Sequence, residues 1–232
     1  MTELVVVSEG QTEEAFIRQL VAPTLAERAV FATPRLLRTS RRGRGGALTG
    51  DRVLHHLPKI LKERDDVYVS TFFDLYGLAP DFPGLSEASG VPDPIQRAVG
   101  IEAAFGDAVV EIAGCRRAQF VPHIQPHEFE ALLFADVSAF ATVRNTWHKH
   151  LPQLVSIRAQ YPTPEHINDG RTTHPSVLLG RLLYGPSYSK RADGPDIGAN
   201  IGLPRMRAEC RHFAQWLSRM EALPPLRRSA FS

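Results

Sequence analysis

Leu4-Val5-Val6-Val7-Ser8-Glu9-Gly10-Gln11-Thr12-Glu13-Glu14-Ala15-Phe16 is the stretch that sets the fold class. The run Leu4 to Val7 is apolar without alternation, the mark of a strand buried on both faces, as in a parallel sheet. A short turn, Ser8-Glu9-Gly10-Gln11, leads to Thr12, a good N-cap, with Glu13 and Glu14 in the first turn where the helix dipole favours acids. Phe16, Ile17, Leu20, Val21 and Leu25 then recur at helical spacing. Strand, tight turn and helix in that order open an α/β fold.

Working outward, a second strand is expected at about 30–38, running into the basic stretch Arg41-Arg42-Gly43-Arg44-Gly45-Gly46. Asp51 to Arg64 reads as a helix with Val53, Leu54, Leu57, Ile60 and Leu61 inward, bent or shortened at Pro58. Val67 to Phe73 is a second clearly buried strand, ending in Asp74. A helix near 95–113, a strand at Ala118–Gln125 and a helix over Pro126–Phe134 follow, with Pro126 in the first turn.

Beyond 136 the strand signal disappears. Helices are expected near 136–143, 148–160 and 175–184, separated by the turn clusters Asn168-Asp169-Gly170 and Asp193-Gly194-Pro195. A last helix at 204–222 carries Met206, Cys210, Phe213, Leu217 and Met220 as one apolar stripe, which places Cys210 in the core. The expectation is a mainly parallel sheet flanked by helices over 1–135, with a helical C-terminal extension, 136–232, packed on it.

Composition excludes several classes. With 232 residues, 43% of them hydrophobic, the chain can build a core and is not disordered. No apolar run approaches the ~20 residues of a membrane span. Met1-Thr2-Glu3-Leu4 has no basic n-region, so no signal peptide is read and the cytoplasm is the expected compartment. Two cysteines make neither a disulfide framework nor a Cys-rich zinc site. A net charge of +2 is too small to argue for nucleic acid by itself.

Open parallel sheets bind ligands beyond the carboxyl ends of their strands. Glu9 ends the first strand, Asp74 ends the strand at 67–73, and Glu128 and Glu130 follow the third. Clustered carboxylates without cysteine or a regular histidine pair favour hard, oxygen-seeking ions, Mg²⁺ or Mn²⁺, which serve phosphoryl chemistry. Each acid has a plainer use as well: Glu9 as a helix cap, Asp74 as a turn former. His127-Glu128 is not a zincin motif, because Ala131 stands where the second histidine is required. His127 can shuttle a proton or bind phosphate beside Glu128, or be structural. His123 and His127 are not expected to share a face, and His148 and His150 read as surface residues.

Between Glu27 and Asp51 there is no acid, whereas Arg28, Arg35, Arg38, Arg41, Arg42 and Arg44 all fall there. Such a segment beside an acidic metal site suits a polyanion, DNA or RNA, with Arg38, Arg41, Arg42 and Arg44 as the contacts. The alternatives are a solvated loop or an acidic protein partner. Lys190 and Arg191 form a second candidate for phosphate contact, and Asn168-Asp169-Gly170 is first of all a turn. There is no GxxxxGK[ST] loop, no GxGxxG after the first strand and no GxSxG elbow, so P-loop hydrolysis, a dinucleotide site and a nucleophilic triad are not expected.

Ser8-Glu9-Gly10-Gln11-Thr12-Glu13 after a hydrophobic strand resembles the opening motif of TOPRIM domains. More closely, the chain resembles a bacterial TOPRIM-like family, domain of unknown function 4276, in EGQTEEAF (9–16), FFDLYGLAPDFPG (72–84), QPHEFEALLF (125–134), INDG (167–170), KRADGPDIG (190–198) and IGLPRMRAECRHFAQWL (201–217). The resemblance implies a catalytic glutamate at Glu9 and an Asp-x-Asp pair holding Mg²⁺. Here that pair reads Asp74-Leu75-Tyr76, and a phenol, with a reference pKa of about 10, is a poor metal ligand at neutral pH. Either Glu128 or Asp81 supplies the missing oxygen, or the site is reduced or gone. The preferred set is Glu9, Asp74 and Glu128 as catalytic and metal-binding residues, with Glu13, His127, Glu130 and Lys190 in support.

By the same resemblance, the chain is expected to be a Mg²⁺- (or Mn²⁺-) dependent nuclease acting on DNA or RNA, tRNA included. It would work with an ABC/SMC-like ATPase in a bacterial antiphage or toxin-like system. The rivals are a catalytically reduced binding or regulatory subunit of such an ATPase, and a phosphatase or nucleotidyl transferase for small molecules.

Overall fold

The computed structural model describes residues 1–37, 47–167 and 174–226. β1 (Thr2–Ser8) leads through Gly10 into α1 (Gln11–Phe16), which continues as a π-helical stretch, Ile17–Val21, and α2 (Ala22–Ala26). β2 (Val30–Leu36) returns beside β1. α3 (Gly50–Glu63) then precedes β3 (Val67–Asp74). After α4 (Leu85–Ala88) and α5 (Pro94–Ala113) come two short strands, β4 (Phe120–Val121) and β5 (Ile124–Gln125). All described pairings are parallel, in the order β2-β1-β3-β4, with β5 pairing the end of β3.

The register aligns Ser8 with Phe72, so β1 and β3 finish at one edge of the sheet. Along both strands the two-residue alternation sends side chains to two cores. Leu4, Val6, Tyr68 and Phe72 enter one hydrophobic cluster, while Val7, Val69 and Phe73 enter the other with residues of α3 and α5. β3 is buried along its whole length, VYVSTFFD, as a central parallel strand must be.

The remaining chain is helical: α6 (Glu130–Leu133), α7 (Ala139–Val143), α8 (Leu151–Ala159), α9 (Pro175–Leu182), α10 (Lys190–Ile201), α11 (Leu203–Glu209) and α12 (Arg211–Glu221). Phe140, Trp147, Leu154, Leu179, Ile197, Met206, Cys210, Phe213 and Leu217 of this half share the cluster of Leu4 and Phe72. The expected parallel sheet flanked by helices is therefore present, an arrangement consistent with a TOPRIM-like fold.

Several local expectations are corrected. Pro58 neither ends nor shortens α3, which runs through it with Val53, Leu57, Ile60 and Leu61 buried around it. The helix expected over Pro126–Phe134 is confined to Glu130–Leu133, because His127 takes a left-handed φ of 61° that no right-handed helix admits. Asp193-Gly194-Pro195 lies inside α10 and is not a turn. Ser189 Oγ accepts from Ala192 N at 3.4 Å and Asp193 Oδ2 accepts from Ser189 N at 2.9 Å, a reciprocal cap that outweighs the turn chemistry of Gly194-Pro195. The last helix is two, broken at Cys210, whose φ/ψ of −117°/93° is extended. The Glu165 carboxylate caps the second piece, accepting from His212 N and Phe213 N at 2.9 Å each. Cys210 itself is fully buried, as expected, and His150 is buried rather than exposed, lying against Tyr184. Arg38, Arg41, Arg42, Arg44 and Asp169 lie outside the described residues.

A carboxylate cluster at the carboxyl edge of the sheet

Glu9 follows the last residue of β1, and Asp74 is the last residue of β3, the next strand. Their placement is a consequence of topology: two parallel neighbours that end level must present their terminal side chains together. Glu13 enters from the first turn of α1 and Glu130 from the first turn of α6. Lys190, at the start of α10, points into this group of acids. Its Nζ lies 2.8 Å from Asp74 Oδ2, 3.0 Å from Glu13 Oε1 and 3.1 Å from Glu130 Oε2. Asp74 Oδ1 accepts from Phe129 N at 2.8 Å, and Tyr188 Oη donates to Glu130 Oε1 at 3.4 Å.

Glu9 stands differently. Its Oε2 is buried and has no hydrogen-bonding partner among the described residues, and the space above it depends on residue 77 being glycine; a Cβ there would collide with that oxygen. Burial, then the charges of Asp74 and Glu13, raise its pKa to about 7, against the opposing pull of Lys190 and Arg52. Burial raises Asp74 to about 6 in spite of Lys190. Glu130, fully buried, is raised to about 8 by desolvation, with Lys190 opposing and the charges of Asp74 and Glu128 adding. Lys190 moves the other way: the acids hold its proton more tightly than burial loosens it. One ammonium thus does not satisfy the carboxylates around it.

The other predicted residues are placed as follows. Glu128 turns toward α9: Oε2 accepts from Ser176 N at 3.0 Å and meets His174 Nδ1 at 3.0 Å, and Oε1 accepts from Ser176 Oγ at 3.1 Å. Its charge still reaches Asp74 and Glu130. Asp81 accepts from Gly50 N at 3.1 Å and so fixes the entry to α3, away from the acids. Tyr76 packs against two histidines. Its ring stands 5.5 Å from that of buried His127 and 5.3 Å from that of His174, and its N–H donates to His127 O at 3.1 Å. The structure therefore gathers Glu9, Glu13, Asp74, Glu130 and Lys190, with Glu128 alongside and His127 behind Tyr76.

Sequence reasoning missed a second buried polar group, Glu102, His123 and His212. It joins α5, the link between β4 and β5, and α12. Glu102 Oε1 accepts from Ile124 N at 2.8 Å, lies 2.8 Å from His212 Nε2 and is 3.5 Å from His123 Nδ1. The two imidazoles stack at 4.9 Å, and His123 stacks on Trp216 at 4.7 Å. Burial would raise Glu102, but the hydrogen bonds from His123 and His212 hold it at about 2. Burial pushes His123 down to about 4; it also pulls on His212, but there the bond to Glu102 and the charges of Glu102 and Glu165 together outweigh it and raise the imidazole. The three ligand atoms lie within 4.8 Å of one another, so this group could also hold a metal ion. The one sequence signal was Glu102 itself, a carboxylate beside Ala98, Ile101, Phe105 and Val109 on the buried stripe of α5.

An α/β protein with acids gathered at the carboxyl edge of a parallel sheet is the class that fold and site define. Among the described residues no helix is long and apolar enough to cross a membrane. The chain belongs to the family described as Domain of unknown function (DUF4276), whose model matches residues 8–221. No curated protein and no solved structure matches it.

Proposed function

We propose that the carboxyl-edge cluster is the centre of a divalent-metal-dependent phosphodiesterase acting on nucleic acid. The observation that carries this reading is Glu9 beside Asp74: two carboxylates on the ends of adjacent parallel strands, one with a buried oxygen that no group among the described residues satisfies. The donor set fits the ion. All its members are carboxylates, the ligands that Mg²⁺ and Mn²⁺ prefer, and an excess of buried negative charge is the environment a dication relieves. Glu9 and Asp74 would hold it, with Glu13, Glu130 or Glu128 nearest to complete the shell. When bound, such an ion polarises a phosphoryl oxygen and neutralises leaving-group charge.

The remaining chemistry falls to the chain. Glu9, where it does not hold the ion, would instead take a proton from an attacking water, and Lys190 holds Asp74 and Glu130 in place and offers an ammonium to a phosphate oxygen.

One observation favours a second reading, that of a catalytically reduced binding subunit: Lys190 Nζ sits among three of the carboxylates, where a cation would be drawn. Cleavage of labelled duplex DNA, single-stranded DNA and tRNA in Mg²⁺ and Mn²⁺ tests the first against the second. Activity should fall by 10²-fold or more in both Glu9→Gln and Asp74→Asn, as loss of a catalytic acid–base or charge-stabilising group does. Metal-independent cleavage, or cleavage unchanged in both variants, would reject the catalytic reading. No cleavage together with no metal-induced stabilisation would favour the binding subunit. An ATPase partner remains part of the proposal, and the assay is run with and without any ATPase encoded beside the gene.

A further inference from the structure

α3 carries a second feature of interest. Between Asp51 and Glu63, which are themselves exposed at its two ends, it contains no acid, and the outward polar residues of that stretch are Arg52, His55, His56, Lys59 and Lys62. At steps of three, four and seven these share one side of the helix, opposite buried Val53, Leu57, Ile60 and Leu61. Lys59 Nζ lies 2.7 Å from His55 Nε2, which fixes the ammonium on that face. Arg35, His56 and Lys59 also line a cavity of about 110 Å³ between α3 and the end of β2, together with Glu63, which pairs with Arg35 at 3.3 Å.

The strip begins at the acidic site. Arg52 is close enough to Glu9 for its charge to lower that carboxyl. Just upstream, Leu48 pairs with Gly77 and Ala79 through backbone hydrogen bonds, and Gly77 is the residue packed over Glu9. From Arg52 to Lys62 the helix rises about 15 Å, the axial rise of four to five nucleotides. No Phe, Tyr or Trp stands on this face, so it suits phosphates rather than stacked bases.

We infer that the solvent face of α3 is a phosphate-tracking surface, along which the backbone of a duplex nucleic acid runs into the Glu9–Asp74 site. This inference rests on the nuclease reading and deepens it by naming a surface for the substrate class. Contacts of this kind read phosphate, not sequence, and bind with a strength that falls steeply with salt.

The test is fluorescence anisotropy of a labelled 20-base-pair duplex across a salt series, with EDTA present so that nothing is cleaved. Lys59→Gln/Lys62→Gln is compared with the wild type and with Arg211→Gln/Arg219→Gln, an equal charge loss on exposed positions of α12. The Lys59/Lys62 pair should lose at least about tenfold in affinity, and its log–log salt slope should flatten by about 1.8, or 0.9 per phosphate contact. The α12 pair should match the wild type. An unchanged slope in the Lys59/Lys62 pair, an equal loss in the α12 pair, or displacement of DNA by polyglutamate as readily as by unlabelled DNA would overturn the inference; the last outcome would point to an acidic protein. Failure of the two readings is distinguishable. Duplex binding lost through Lys59 and Lys62 alongside cleavage that ignores Glu9 would sink the catalytic reading alone. Cleavage that needs Glu9 with an unaltered salt slope would sink the surface alone.

Discussion

The molecule buries two polar clusters on either side of β3, and they are built on opposite principles. In the Glu102–His123–His212 group a single carboxylate oxygen is surrounded by a backbone N–H and two imidazoles, so the charge buried on α5 is met by donors already in place. In the edge cluster Glu13, Asp74 and Glu130 share one lysine, and Glu9 keeps an oxygen with no partner among the described residues. The direction of the carboxylate shifts records the contrast: Glu102 is pulled to about 2, whereas Glu9, Asp74 and Glu130 are pushed to about 7, 6 and 8. A closed cluster stabilises the fold. An open one weakens it and leaves charge available for a ligand.

The comparison would break most visibly at His212. His212→Ala removes the nearer imidazole from a buried pair and leaves the Glu102 charge to Ile124 N and His123 alone, a change that costs about 3–5 kcal/mol. It also loosens the seating of α12, whose Phe213 and Trp216 pack on Phe72 of β3. Urea unfolding at pH 7 should show this loss. His212→Gln, which retains a donor, should recover part of it. A loss below about 1 kcal/mol in the alanine variant would mean that the histidine–carboxylate contact is not closed in the sense described.

Glu9 should behave in the opposite way. Its pKa is raised from 4.5 to about 7 on folding, so its protonated form is the one the fold favours. Its contribution to stability is complete below pH 4.5 and is lost as pH rises through about 7. Gln mimics the protonated carboxyl at every pH. Without divalent metal, Glu9→Gln should therefore match the wild type near pH 4.5 and exceed it by about 2–3 kcal/mol at pH 8, at 1.36 kcal/mol per pKa unit. Thermal unfolding across that range reads the divergence. A variant less stable than the wild type at pH 8 would place Glu9 among the satisfied groups and erase the contrast.

How much of this was legible in the sequence follows from the range over which each feature is determined. The first strand, its turn and Glu9 could be read because an unbroken apolar run and a capped first turn are local patterns. Asp74 was legible for the same reason. Their meeting was inferred from the rule that parallel strands present ligands at their carboxyl ends, and the register of β1 on β3 places them there. The breaks were not legible. His127 takes a positive φ in a segment that otherwise reads as a helix, and Cys210 interrupts an apolar stripe because Glu165, far away in sequence, caps the helix that follows. The Glu102 group was invisible for a similar reason: its members come from three elements with no common spacing, and only their packing makes them neighbours. Lys190 was read as a phosphate contact; that it stands among Glu13, Asp74 and Glu130 depends on α10 forming through Asp193-Gly194-Pro195, which the turn signals of those residues concealed.

The smallest expected effect sharpens the comparison best, because both clusters have a claim on a metal. An ion that binds only the folded state stabilises it by mass action: at ten times its Kd the gain is about 1.4 kcal/mol, or roughly 3–6 °C in a chain of this size. The open cluster predicts that millimolar Mg²⁺ or Mn²⁺ provides this gain at pH 7.5, where the dication must compete with the Lys190 ammonium for Asp74. The gain should vanish in Glu9→Gln and Asp74→Asn and persist in His212→Gln. The Glu102 group, with its two imidazoles, predicts the reverse: a preference for Zn²⁺ over Mg²⁺, abolished by His212→Gln and indifferent to Glu9. Its Oε1 already accepts from Ile124 N and faces His212, so a metal there would have to displace a contact that the fold itself uses. Glu9 Oε2 has no such contact to give up. A melting series over three metals and four proteins decides between the two, and Mg²⁺ stabilisation that survives in both Glu9→Gln and Asp74→Asn would show that the unpartnered oxygen is not the one that draws the ion.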